Sequence, residues 1–199
     1  MSSKKSINVL LATIGRPELK DQLYSLEDQL TKIDYLTIVV DYREAADFVY
    51  SLVSLIHFKC TVSVIVCSEN LGFWGHGIRN KYQNNLCGDF IINADDDDIF
   101  TPDAFELIRK HAVDSTKLYL FKEATPFGTT VWQKEWLGSG KPMAVGAIST
   151  VCGIIPNIKI LPDWGLFYGG DGQFYVDITS TLFPEYELVD EIISIRGKK

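Results

Sequence analysis

The run Phe90-Ile91-Ile92-Asn93-Ala94 passes without a break into four consecutive aspartates, Asp95 to Asp98. A short, mostly apolar run reads as a buried strand. Its carboxyl end must therefore leave the interior where four acidic side chains can be accommodated. At a partly shielded site two carboxylates about 4 Å apart repel by roughly 4 kcal/mol. The arrangement asks for a cation, and a divalent metal carrying a phosphorylated ligand has the right charge and hard-oxygen chemistry. Such donors favour Mg²⁺, Mn²⁺ or Ca²⁺ over zinc. If the backbone stays extended, Asp95 and Asp97 share one face and Asp96 and Asp98 the other.

Other readings of the run are open. It can be a solvated acidic turn that caps the next helix, or a phosphatase-type D-x-D nucleophile. The second also needs a well-placed lysine and a later acidic pair, and the sequence does not place them. A calcium-binding helix–loop–helix is excluded. Glu106 stands twelfth from Asp95, but Phe100 occupies the position that needs glycine, and a strand precedes the loop.

Around this run the chain alternates strand and helix. Ile7 to Ala12 reads as a strand, Thr13 to Arg16 as a loop, and Pro17 suits the start of a helix with Leu19, Leu23, Leu26 and Leu30 on one face. Tyr35 to Val40 is a second strand. A helix over Glu44 to Ile56 would turn Phe48, Leu52, Leu55 and Ile56 inward. Thr61 to Cys67 is a β-branched third strand. A helix over Ile78 to Asn85, the strand Asp89 to Ala94 and a helix from Pro102 follow. This rhythm predicts an α/β domain with a mainly parallel sheet. The second half is less regular. It offers strands at 117–122, 129–136, 147–156 and 187–195, loops at 138–142 and 163–172, and a helix over 173–182.

At 199 residues one continuous domain is expected. A net charge of −7 argues against a broad basic face for nucleic acid. Cys60, Cys67, Cys87 and Cys152 form no C-x-x-C pair, so reduced thiols and a cytoplasmic location are expected. No segment reaches the length of a membrane span.

Ligands of open α/β sheets bind beyond the carboxyl ends of the strands. Polar residues gather at four such ends: Thr13 and Arg16, then Asp41, then Asn70 and Gly72, then Asp95 to Asp98. The loop Ser68 to Gly77 carries three glycines and two large aromatics. It leads into a helix with Arg79, which suits a diphosphate or a base edge. His76 in that loop reads as a metal ligand or as a hydrogen-bonded loop residue.

Five segments in this order carry a resemblance: Ala12-Thr13-Ile14-Gly15-Arg16-Pro17-Glu18-Leu19 with Leu26-Glu27-Asp28-Gln29; Val39-Val40-Asp41; Asn70-Leu71-Gly72; Arg79-Asn80; and Asn93 to Asp98 followed by Pro102-Asp103. Together they resemble the family-2-like glycosyltransferases of the GT-A fold. The chain is also similar to small virus-encoded transferases that build capsid glycans. The resemblance implies a single GT-A-like α/β domain with a mixed, mainly parallel central sheet flanked by helices. Residues from about 7 to 110 would bind the nucleotide sugar, and residues from about 111 to 199 the acceptor.

It also implies roles. Thr13, Arg16, Asp41 and Arg79 would hold the nucleoside, with Asp41 reading a uracil edge. Asp95 would approach the ribose or sugar. Asp97 would be the main ligand of Mn²⁺ or Mg²⁺, and Asp96 would replace or assist Asp95 or Asp97. Asp171, in Gly169-Gly170-Asp171-Gly172, falls where the family carries the base for the acceptor hydroxyl. The usual Glu-Asp pair is absent there, so inverting and retaining outcomes both stay open. The implied reaction moves a sugar from a UDP-sugar to a glycan hydroxyl. Its rivals are nucleotidyl or phosphoryl transfer on a related sheet and a silent nucleotide-sugar-binding module. Trp132, Trp136, Trp164, Phe167 and Tyr168 suit an acceptor site for sugar rings, or else pack as core.

Overall fold

The computed structural model describes residues 4–126, 130–131, 148–158 and 160–197. Strand β1 (Ile7–Thr13) lies at the middle of the first half and is buried along its whole length. That follows from having helices on both sheet faces, which lets a parallel strand be apolar throughout rather than alternating. β2 (Tyr35–Val40) and β3 (Thr61–Val66) pair in parallel on one side of β1, and β4 (Phe90–Asp95) pairs in parallel on the other.

The connections are α1 (Leu19–Glu27), α2 (Ala46–Ser54) and α3 (His76–Tyr82). The strand order β3-β2-β1-β4 means that the chain steps outward twice and then returns across β1. This reversal opens a crevice at the carboxyl ends of β1 and β4. The predicted strands and α1 match the first half. Leu19, Leu23, Leu26 and Leu30 are all buried, each contributing about 2 kcal/mol by leaving water.

The second half extends the same sheet with shorter, mostly antiparallel ladders. β8 (Gly153–Pro156) lies beside β4, then β6 (Tyr119–Ala124), β9 (Glu187–Arg196) and β5 (Asp98–Phe100), with β7 (Thr130–Val131) pairing off β6. β6 and β9 run parallel through two register irregularities. α4 (Ala104–His111) and α5 (Gly170–Thr181) complete the domain. Phe174, Tyr175 and Ile178 of α5 pack with Ile91, Leu120 and Ile155 of the sheet.

Several expectations need correction. The helix expected over 44–56 opens with a 3₁₀ turn, Arg43–Ala45. This sets the inward face of α2 on Val49 and Leu52, with Ile56 buried just beyond it; Phe48 is 43% exposed and Leu55 75% exposed. The 147–156 strand is a 3₁₀ turn, Thr150–Cys152, followed by the short β8. α5 begins at Gly170 because Gly169, at φ 88°, makes a left-handed entry. Asp171 is therefore in the first turn of a helix rather than in the loop. The loop expected at 138–142 and most of the 129–136 strand lie outside the described residues.

Candidate functional site

The polar strand ends do converge. A cleft of about 220 Å³ opens at the carboxyl edge of β1, β2 and β4. Its walls include Thr13, Arg16, Asp41, Tyr42, Gly72 to Gly75, and Asp95 to Asp97.

The four aspartates do not stay extended. Asp95 ends β4, Asp96 and Asp97 form a turn, and Asp98 begins β5. Each side chain takes a different partner. Asp96 is buried and its Oδ2 accepts from Thr13 Oγ1 at 2.7 Å and from the Ile14 amide at 3.1 Å. Burial still raises its pKa above the usual carboxylate value. Asp97 Oδ2 accepts from Arg16 Nη1 at 2.9 Å. Asp95 Oδ1 accepts from Arg79 Nη2 at 2.5 Å.

Asp98 turns inward and is pushed well above the usual range by burial and by the nearby Glu123, Asp95 and Asp97. Glu123 is fully buried. Its Oε2 accepts from Ser149 Oγ at 2.8 Å and from Arg196 at 3.0 and 2.6 Å, while Oε1 has no hydrogen-bond partner among the described residues. Burial raises Glu123 as well, in spite of Arg196.

Five carboxylates thus gather with three guanidiniums, Arg16, Arg79 and Arg196. Hard oxygen donors in a net-negative pocket fit a divalent cation. Among the described residues no three acidic, histidine or cysteine side chains are placed to hold a metal together.

Asp41 braces the opposite wall. It is buried, and its Oδ1 and Oδ2 accept the amides of Leu71 at 2.6 Å and Gly72 at 2.8 Å. The loop it anchors is strained. Gly72 sits at φ 61°, ψ −154°, a region open essentially to glycine alone. Phe73 and Trp74 follow at φ 55° and 53°, and Gly75 at 79°. Left-handed backbone costs a side-chain-bearing residue roughly 1–2 kcal/mol.

Arg79 of α3 holds this shape. Its Nη1 donates to the Trp74 carbonyl at 2.9 Å, and its guanidinium stacks 5.1 Å from the Trp164 ring. Arg79 is fully buried. It stands behind the cleft wall and reaches the cleft through Asp95 and the Trp74 backbone.

The segment before α5 is docked on α3 by side-chain amides. Asn80 exchanges hydrogen bonds with the Trp164 backbone at 2.6 and 3.1 Å, and Gln83 Nε2 donates to the Pro162 carbonyl at 2.9 Å. His76 Nδ1 donates to the Gly165 carbonyl at 2.7 Å, the hydrogen-bonded one of its two readings. Burial and the Arg79 charge lower its pKa, while Asp171 and Asp95 oppose them. The Asp171 Oδ1 accepts the Gly172 amide at 2.8 Å.

Of the residues picked from sequence, Thr13, Arg16, Asp41, Asp95, Asp96 and Asp97 wall the cleft, Arg79 supports it, and Asp171 is outside its lining. Trp164 is not a surface ring for sugars. It is 1% exposed and stacks on Phe174 at 4.0 Å. Trp132 and Trp136 lie outside the described residues, whereas Phe167 and Tyr168 are exposed. Tyr42, Trp74, Glu123 and Arg196 were not singled out. The one signal for Trp74 was its place between two glycines.

No family model matches the sequence, and no curated protein matches it. Solved structures do. Residues 1–349 of S. aureus TarS match with a TM-score of 0.69 at 15% identity, covering 96% of this chain and 60% of that one. The same TarS fragment in complex with UDP-GlcNAc matches with a TM-score of 0.70 at 16% identity, over 98% and 59% of the two chains. A mycobacterial protein matches with a TM-score of 0.69 at 13% identity, over 100% and 68%. The chain thus spans about three fifths of the TarS fragment. Among the described residues no helix is long and apolar enough to cross a membrane. The protein has a GT-A glycosyltransferase-like fold, a single α/β domain built on a mixed, mainly parallel sheet.

Proposed function

We propose that this chain is a metal-dependent glycosyltransferase that moves a sugar from a UDP-sugar to a hydroxyl of a glycan acceptor. The observation that carries the reading is the cleft at the switch point of a GT-A-like sheet, where Thr13, Arg16 and Asp41 face the Asp95–Asp97 turn. It is supported by TarS, a structure of like fold that has been solved with UDP-GlcNAc and with UDP.

In this reading residues of about 7–110 form the donor half and those of about 111–199 the acceptor half. Asp41 offers its remaining lone pairs to a uracil edge while keeping the loop amides in place. Thr13 fixes Asp96, so the turn presents Asp95 and Asp97 in a set orientation. Asp95 approaches the ribose or sugar. A bound Mn²⁺ or Mg²⁺ on Asp97 would supply neutralisation of the leaving diphosphate. Arg16, on the exposed side of Asp97, can turn from that carboxylate to a phosphate. Arg79 keeps Asp95 and the Trp74 backbone in register. Asp171 accepts the proton of the acceptor hydroxyl. The free thiols of Cys60, Cys67, Cys87 and Cys152 suit a reducing compartment such as the cytoplasm.

Calorimetric titration of UDP and UDP-GlcNAc, with Mn²⁺ and then with chelator, tests this. Metal-dependent binding that is lost in Asp97→Ala is expected. Release of UDP rather than pyrophosphate separates glycosyl from nucleotidyl transfer. Absence of nucleotide binding under both conditions would sink the reading.

A further inference from the structure

Two large aromatic rings stand in water at the mouth of the cleft. Trp74 is 57% exposed and Tyr168 84% exposed. Their centroids are 5.8 Å apart with planes at 75°, so the pair forms a corner rather than a stack. Such a corner is not left over from core packing. Trp74 is held outward by a left-handed backbone and by the Arg79 bond to its carbonyl. Strain of that kind persists where the surrounding structure enforces it, and it gathers at ligand clamps.

Position adds a direction. Trp74 lines the cleft, whereas Tyr168 does not. Tyr168 lies on the segment that leads into α5, three residues before Asp171. That segment is closed by the Gly170 amide bonded to the Phe167 carbonyl at 3.0 Å. The corner therefore runs from the donor cleft outward to the helix that carries Asp171.

From this geometry we infer that Trp74 and Tyr168 form the binding platform for a neutral pyranose ring of the acceptor. The inference rests on the nucleotide-sugar reading of the cleft. A pyranose has one face of C–H groups and a rim of hydroxyls. The C–H face suits an aromatic ring, and the rim suits a partly exposed carboxylate such as Asp171. Asp95 and Asp171 both lie within electrostatic reach of His76, on a chain of net charge −7, so a phosphorylated or acidic sugar is disfavoured. A nucleobase has its own ring in Tyr42, which lines the cleft next to Asp41 and is 43% exposed.

Saturation-transfer NMR tests the platform on the whole chain with UDP and Mn²⁺ present. The probes are methyl glycosides of glucose, galactose, N-acetylglucosamine and rhamnose, with methyl glucuronide as the acidic control. Transfer to the C–H protons of at least one neutral glycoside is expected. It should weaken about tenfold in both Trp74→Ala and Tyr168→Ala, the size of loss typical of a removed stacking ring, and survive in Trp74→Phe. UDP affinity should be unchanged in Tyr168→Ala. The platform is overturned if wild type binds UDP but no neutral glycoside, or if both alanine variants keep full transfer. Loss of UDP binding in Tyr168→Ala assigns the ring to the nucleotide and also overturns it. If UDP fails to bind wild type, the nucleotide-sugar reading falls instead. Spectra without UDP then decide the sugar platform by itself.

Discussion

At Asp98 burial and neighbouring carboxylates act in the same direction. Its carboxyl and that of Glu123 have raised pKa values in the folded chain, from 3.8 and 4.5 respectively. An acid raised on folding stabilises the fold below its unfolded pKa and loses that contribution as pH rises through its folded value. His76, lowered from 6.5, works in the other sense and weakens the fold as pH falls below 6.5. Asp98→Asn should therefore raise Tm at pH 7.5, by about 2–4 °C per kcal/mol gained in a chain of this size. Acidification from pH 7.5 should also stabilise wild type more than Asp98→Asn, measured by thermal melts across pH.

Gly197→Ala is the complementary test. A Cβ at Gly197 would lie 1.9 Å from the Asp97 carbonyl oxygen, so turn or strand must move. A stability loss of about 1–3 kcal/mol is expected, with weaker Mn²⁺-dependent UDP binding by calorimetry. The four carboxylates were plain in the sequence, but their separate fates were not. The partners Thr13, Arg16 and Arg196 are supplied by segments far off in sequence, and no local pattern encodes that pairing.

At the scale of elements, the α3 helix joins the cleft loop to the segment before α5. The amide side chains of Asn80, on α3, and Gln83, just after it, hold the backbone of 162–164. Replacing both with alanine should cost about 1–3 kcal/mol in denaturant melts, from the buried groups left unpaired. Sugar transfer should fall more than UDP affinity, since Asp171 follows that segment and Asp41 does not. Gly75→Ala should act on the other side of α3. Its Cβ would sit 2.8 Å from Arg79 Nη1 and 2.9 Å from the Ala12 Cβ, at a φ of 79°. Loosening of the Trp74 loop is expected, read as faster amide exchange at Leu71 and Gly72.

The long strands could be read as mainly apolar or β-branched runs, and α1 because a single helical period runs through it. β5 could not: Asp98-Ile99-Phe100 becomes a strand only by pairing with β9. The inward face of α2 was read correctly at Leu52 and Ile56 but not at Phe48 and Leu55, which are exposed while Val49 is buried.

For the whole molecule, the sheet combines parallel strands made early in the chain with antiparallel pairings closed late. A ligand that binds only the folded form should stabilise it as a unit. UDP with Mn²⁺ at about a hundred times Kd should add about 2.7 kcal/mol. That corresponds to a Tm rise of roughly 5–10 °C, removed by chelator and absent in Asp97→Ala. The fold class was legible because strand–helix alternation ending in polar residues is a property of the whole first half. The strand order of the second half was not, since its ladders join segments far apart in sequence.

The pairing of β5 with β9 sets a timetable for synthesis. β1 to β4 can assemble as soon as they leave the ribosome, but Asp98 meets Arg196 only after about a hundred further residues. At roughly 5–20 residues per second that is a wait of about 5–20 s. During it the acidic turn lacks the strand that fixes it. Nucleotide binding should then be gained abruptly, when β9 emerges, and a nascent chain arrested before residue 187 should hold a built parallel sheet with an unfinished mouth.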